Sequence, residues 1–185
     1  MQAFDLDRRP AYRVSDETPR LRRASTDDVP TIVAIYNGCM RRGEICRHGR
    51  ELSVDELAAI LPASGDRSQT FVATVRGEVQ GFAAFLPWHA RAAYAATLEL
   101  MVYVAEPHRG FGLAKALITQ IVAAATTGGY RSVIALSRAD DAVAARLSTS
   151  LGFAVAGALS EVCPGSDRLH AVTLYQRMLG TGEVT

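Results

Sequence analysis

From Pro19 onward the hydrophobic positions of this chain follow two rhythms. Val29, Ile32, Val33 and Tyr36 recur at i, i+3, i+4 and i+7, which predicts a helix over about residues 26–38. Ser25 stands three residues before Asp28, the spacing of a capping box. Pro30 falls in the first turn, where amides have no intrahelical partner. Ser53 and Glu56 form a second box, opening a helix with Val54, Leu57, Ala58 and Leu61 on one face and Pro62 and Gly65 as its stop. The rhythm then shortens. Thr70–Val75 and Val79–Pro87 read as strands around an Arg76-Gly77-Glu78 turn. After a polar loop at 88–93, a long apolar strand is expected from Tyr94 to Ala105. A helix follows with Leu113, Leu117, Ile121 and Ala124 on one side, closed by Gly128-Gly129. Ser132–Ser137 is an unbroken apolar run, as in a strand covered on both faces. Asp140-Asp141 caps a last helix, with Val143, Leu147 and Leu151 inward and Gly152 at its end. Phe153–Leu159 and Ala171–Met178 supply two more strands, and Arg20–Arg23 a short first one. The order is βααβββαβαββ, a mixed α/β fold. Residues 1–19 and 180–185 read as tails around one domain at 20–179.

Composition narrows the function. The 185 residues carry 20 basic and 19 acidic groups, a net charge of +1, so no nucleic-acid or membrane-surface partner is indicated. Only Lys115 is lysine; the rest of the basic residues are arginine, which with abundant alanine suggests a high-GC bacterial genome. Cys39, Cys46 and Cys163 are odd in number and lack metal spacing, so free thiols and a reducing cytoplasm are expected, with Cys163 inert. The histidines are scattered, and no metal site is expected. No run approaches the roughly 18 apolar residues of a membrane helix.

The strongest chemical signal is Arg109-Gly110-Phe111-Gly112-Leu113-Ala114, between a strand and a helix. Glycines at 110 and 112 admit a ligand close to the backbone, and the first amides of the helix point outward with the positive end of its dipole. Arg109 and Lys115 add charge, giving an anion site. The dinucleotide and Walker patterns are both absent. Glu99 is the lone acid in its apolar strand, so its burial calls for a reason; a general base is one, and an edge carboxylate paired with Arg91 is the other.

The loop Arg109–Ala114 resembles the Q/R-x-x-G-x-G/A signature of the GNAT acyltransferase superfamily, and the element order resembles that fold throughout. Ala34-Ile35-Tyr36-Asn37, Pro87-Trp88 with Arg91, Thr97-Leu98-Glu99, Pro107-His108-Arg109-Gly110 and Leu151-Gly152-Phe153 are similar to the phosphinothricin/methionine-sulfone acetyltransferase group. The resemblance implies a central mixed sheet that splays between its fourth and fifth strands. It implies acetyl-CoA as co-substrate, with pyrophosphate on the amides from Gly110 through Phe111, Gly112, Leu113 and Ala114 to Lys115. Pantetheine would run along Met101, Val102, Tyr103 and Val104. Glu99 would be the base for a small amino-acid-like or antibiotic-like amine, by direct attack. Tyr36, Trp88 and Arg91 would meet that amine, although packing explains Tyr36 and Trp88 as well. The superfamily's asparagine and thiol-acid tyrosine are replaced here by Asp141 and Ser148, which leaves the acid to Ser148 or to water. The resemblance also implies a homodimer. The same fold could instead serve a non-catalytic acyl-CoA-binding module or take its acyl group from aminoacyl-tRNA.

Overall fold

The computed structural model describes residues 19–44, 49–61, 70–164 and 168–180. Residues 1–18 and 181–185 of the expected tails, and the Pro62 and Gly65 stop, lie outside them. Seven strands form one mixed sheet: β1 (Arg20–Arg23), β2 (Thr70–Val75), β3 (Glu78–Pro87), β4 (Thr97–Val104), β5 (Ser132–Arg138), β6 (Ala154–Pro164) and β7 (Leu169–Met178), in the order β1-β2-β3-β4-β5-β7-β6. All pairs are antiparallel except β4 with β5. The helices are α1 (Val29–Arg41), α2 (Val54–Ile60), α3 (Leu113–Thr127) and α4 (Ala142–Ser150). The expected order is the observed one.

Strand alternation divides the core. Phe71, Ala83, Phe85, Leu98 and Leu100 point to one face, where Leu117, Ile121 and Val122 of α3 cover them. Val72, Phe82, Ala84, Leu86 and Met101 point to the other, under Ile32, Val33 and Tyr36 of α1 and Leu57 of α2. Both capping boxes form. Asp28 accepts the Ser25 amide at 2.7 Å and a fork from Arg22 at 2.6 and 2.7 Å. Ser53 and Glu56 exchange bonds of 2.8 and 3.2 Å.

Four expectations need correction. The strand expected from Tyr94 begins at Thr97, and Ala92–Tyr94 is a 3₁₀ turn. Its partner β3 ends at Pro87, opposite Leu98, and the last bond of that ladder runs from the Trp88 amide to Thr97 O at 3.2 Å, so the apolar residues before Thr97 have no β3 residue to pair with. Helix α1 continues past residue 38 to Arg41, because Gly38 stays helical and Gly43, at φ 69°, supplies the left-handed turn that stops it. The last two strands run further, to Pro164 and from Leu169, pairing through a bulge between Leu159 and Cys163. Cys163 is disulfide-bonded, where free thiols were expected, and its partner lies outside the described residues. With three cysteines a single pairing is always possible, and spacing could not exclude it. Among the described residues no helix is long and apolar enough to cross a membrane, and no group of three or more side chains could hold a metal ion.

Candidate active site

The site begins where the sheet comes apart. β4 and β5 pair from Thr97–Ser132 to Leu100–Ala135 and no further. Each continues outward on its other neighbour: β4 on β3 as far as Val104, and β5 on β7 as far as Arg138. Met101–Val104 and Leu136–Arg138 therefore face one another across a gap, with one backbone edge each free of sheet partners. A cavity of about 750 Å³ fills the gap, and its walls include Met101, Val102, Tyr103 and Val104 on one side and Ala135, Leu136 and Ser137 on the other.

At the mouth of this cavity the β4–α3 connection forms a cradle. Gly110 and Gly112 have φ values of 80° and 82°, a region costly for residues with a Cβ. A Cβ built on either would meet nothing within 4 Å, so the space in front of both is open. Gly112 is the N-cap of α3, and Ala116 is the first residue whose amide bonds back to it, at 3.0 Å. The amides of Leu113, Ala114 and Lys115 precede that bond and point out of the helix end, with the positive end of the dipole behind them. These residues, with Arg109, line the cavity; Phe111 does not and is 48% exposed. An open glycine cradle, outward amides and a slot between parting strands fit a pyrophosphate with an extended pantetheine arm.

Glu99 sits half-buried one rung below the gap, level with Leu86 of β3 and Ile134 of β5. Alternation puts it on the α1 face with Met101 and Tyr103, opposite the α3 face, and outside the cavity wall itself. Trp88 is half-buried just beyond β3 and donates its amide to Thr97 O at 3.2 Å. Arg91 is exposed, its amide donating to His89 Nδ1 at 3.0 Å. Tyr36 is fully buried, edge-on to Tyr103 with ring centroids 5.5 Å apart, so Tyr103 stands between it and the cavity. Ser148 lines the cavity from α4 and is half-buried. Asp141 also lines it, but its carboxylate is the N-cap of α4, accepting the Ala144 amide at 2.8 Å. Val143, expected to point inward, is 76% exposed at the cavity rim, while Leu147 and Leu151 pack on the core.

Among the wall residues that escaped the sequence reading, three form a linked polar group. Cys39 and Glu44 reach the cavity from the end of α1, and Arg138 from the end of β5. Arg109 donates to both Glu44 oxygens, at 2.6 and 2.7 Å, and Arg42 donates to the same carboxylate at 2.8 Å. Burial raises the Glu44 carboxyl, but the bonds from Arg109 and Arg42 outweigh it and hold it at about 2. Burial and the neighbouring Glu44 push the Cys39 thiol up, which leaves it a weak nucleophile. Arg41, Arg42 and Arg50 are paired with Glu51, Glu44 and Glu56. The one signal for Glu44 was its place directly after Gly43, a glycine that ends a helix.

The model of the acetyltransferase (GNAT) family matches residues 29–153, a span from α1 through the cradle to the end of α4. A phosphinothricin N-acetyltransferase of Streptomyces viridochromogenes is 29% identical over 85% of this chain and 86% of its own length. An L-methionine sulfoximine/L-methionine sulfone acetyltransferase of Salmonella typhimurium is 28% identical over 86% of this chain and 94% of its own. Among solved structures, a GNAT-superfamily phosphinothricin acetyltransferase from Sinorhizobium meliloti, in complex with acetyl-CoA, superposes with a TM-score of 0.82 and 28% identity, covering 91% of this chain and 92% of that one. The chain therefore belongs to the acetyltransferase (GNAT) family and is an acyl-CoA-dependent N-acetyltransferase.

Proposed function

We propose that this enzyme acetylates the primary amine of a small amino-acid-like molecule by direct attack, with Glu99 as general base. The observation that carries the reading is the position of Glu99. It is the lone acid in the apolar strand Thr97–Val104, one rung below the gap, on the face away from α3. The relatives named for phosphinothricin and for methionine sulfoximine and sulfone support the class of acceptor.

Bound acetyl-CoA supplies a thioester carbonyl open to attack. The cradle amides and Lys115 hold the pyrophosphate, and the free edge of Met101–Val104 holds the pantetheine. Glu99 takes a proton from the ammonium, through a water, so that the nitrogen lone pair can attack. As the C–N bond forms, backbone N–H groups of that edge donate to the acyl oxygen on which charge develops. As the C–S bond breaks, Ser148 or a water returns a proton to the sulfur. Trp88 and Arg91 lie in the segment that follows β3, where Arg91 would fork onto an acceptor carboxylate. Tyr36 contributes by backing Tyr103. In this reading the enzyme is also a homodimer, supported by apolar side chains left exposed on β5, β6 and β7.

The test is a panel of amines with acetyl-CoA, read by release of free thiol, for wild type and Glu99→Gln. Amino-acid analogues such as methionine sulfone should be turned over by wild type and hardly by the variant. Equal rates for both proteins on a confirmed acceptor would remove Glu99 from the mechanism.

A further inference from the structure

We propose that Glu44 is a positioning residue for the acetyl-CoA cleft, pinning the end of α1 across the gap between β4 and β5. The inference rests on reading that gap as the acetyl-CoA site.

The pin is built from the helix end. At φ 69°, Gly43 reverses the chain. Its amide donates to Met40 O at 2.9 Å, and the Glu44 amide donates to Cys39 O at 3.1 Å. This pair of bonds closes a helix terminus and fixes where Glu44 leaves it. The Glu44 carboxylate then meets the Arg109 guanidinium in two parallel bonds, with Oε1 2.7 Å from Nη1 and Oε2 2.6 Å from Nη2. Arg109 Nη2 also donates to Cys39 Sγ at 3.4 Å, and its Nε reaches the carbonyl of Val104, the last residue of β4, at 3.1 Å. On the opposite wall Arg138, the last residue of β5, donates Nη1 to the Gly43 carbonyl at 3.1 Å. Asp140 steadies the same guanidinium with bonds of 2.6 and 2.9 Å.

Two consecutive residues of one turn thus hold the far ends of two strands whose own pairing stops at Leu100 and Ala135. The brace takes over where sheet hydrogen bonds leave off. It also holds Arg109, the residue from which the glycine cradle starts, by both ends of its guanidinium. Glu44 touches no reacting atom; it acts through Arg109.

Glu44→Gln keeps the shape and removes the charge. Its acetyl-CoA KM should rise on the order of tenfold, the worth of one lost charge-assisted contact, while kcat at saturation stays within about twofold. Gly43→Ala leaves the carboxylate in place but opposes the left-handed turn, and should shift KM the same way. The double variant should be no worse than the worse single, because both act through one brace. Melting temperatures and calorimetric affinity for acetyl-CoA are measured on all four proteins. A lowered melting temperature with unchanged acetyl-CoA KM and affinity would make Glu44 merely structural and overturn the inference, as would additive effects in the double variant. If wild type fails to bind acetyl-CoA, the reading of the cleft falls and the brace with it. If wild type binds and the variants bind equally well, only the brace falls.

Discussion

A carboxylate placed in an apolar strand must be accounted for, because burial disfavours its charge. For Glu99 the account is proton transfer, and it fixes an expected outcome. Glu99→Gln preserves shape and most hydrogen bonds but cannot accept a proton. Turnover should fall about 10²–10⁴-fold, the usual worth of a positioned base. Acetyl-CoA affinity should hold, since the donor contacts are backbone groups further along β4. The wild-type rate should climb with pH as the amine loses its proton, and the variant should recover partly at high pH as free amine accumulates. A pH–rate profile of the two proteins checks this; parallel profiles at equal height would contradict it. Glu99 was legible from sequence because nothing else charged interrupts its strand. Glu44 was not, because an acid among arginines after a helix looks like a solvated loop until the fold brings Arg109 to it.

At the scale of elements, the start of α1 is held by a charge that can be titrated. Hydrogen bonds from Arg22, opposed by burial and aided by the Ser25 amide, lower the buried Asp28 carboxyl from 3.8 to about 2. A depressed carboxyl contributes stability that is fully present above its unfolded value and is lost as pH falls through the folded one. Asp28→Asn should therefore cost on the order of 2 kcal/mol at pH 7. The difference from wild type should shrink as pH drops from about 4 towards 2. Urea unfolding at pH 7 and pH 3 measures it, and a pH-independent difference would contradict it. The box that places Asp28 was visible in the spacing Ser25 to Asp28; its guanidinium partner Arg22, one strand away, was not. Element order and core faces were legible because alternation and helical spacing record burial directly. Strand ends were not, because they depend on the partner: Thr97 begins β4 only because β3 stops at Pro87.

Across the whole molecule the sheet is covered unevenly. On one face α3 packs on the β2–β4 half, and α4 adds Leu147 and Leu151 over the other. On the opposite face α1 and α2 cover β2 to β4, and no described helix lies over β5, β7 and β6. There Leu136, Leu159 and Met178 are exposed, Met178 by 62%. In the proposed homodimer this is the region a second copy covers, and a stable interface buries roughly 1,200–2,000 Å². Sedimentation at micromolar concentration should therefore find a dimer, and Leu159→Arg with Met178→Asp should yield monomers. A monomeric wild type would contradict that assembly.

The claim on which everything else depends is that acetyl-CoA lies on the amides of the 110–115 cradle. Gly112→Asp addresses it with least collateral damage. Aspartate is among the few residues with a Cβ that visit a left-handed φ, where a side chain costs roughly 1–2 kcal/mol. It nevertheless sets a negative charge where the pyrophosphate belongs. Calorimetric titration of acetyl-CoA into the two folded proteins is the direct measurement. The account expects saturable binding to wild type and affinity weakened by about 100-fold or more in Gly112→Asp, with acetyl-CoA raising the melting temperature of wild type alone. Equal affinity in the two proteins would contradict it.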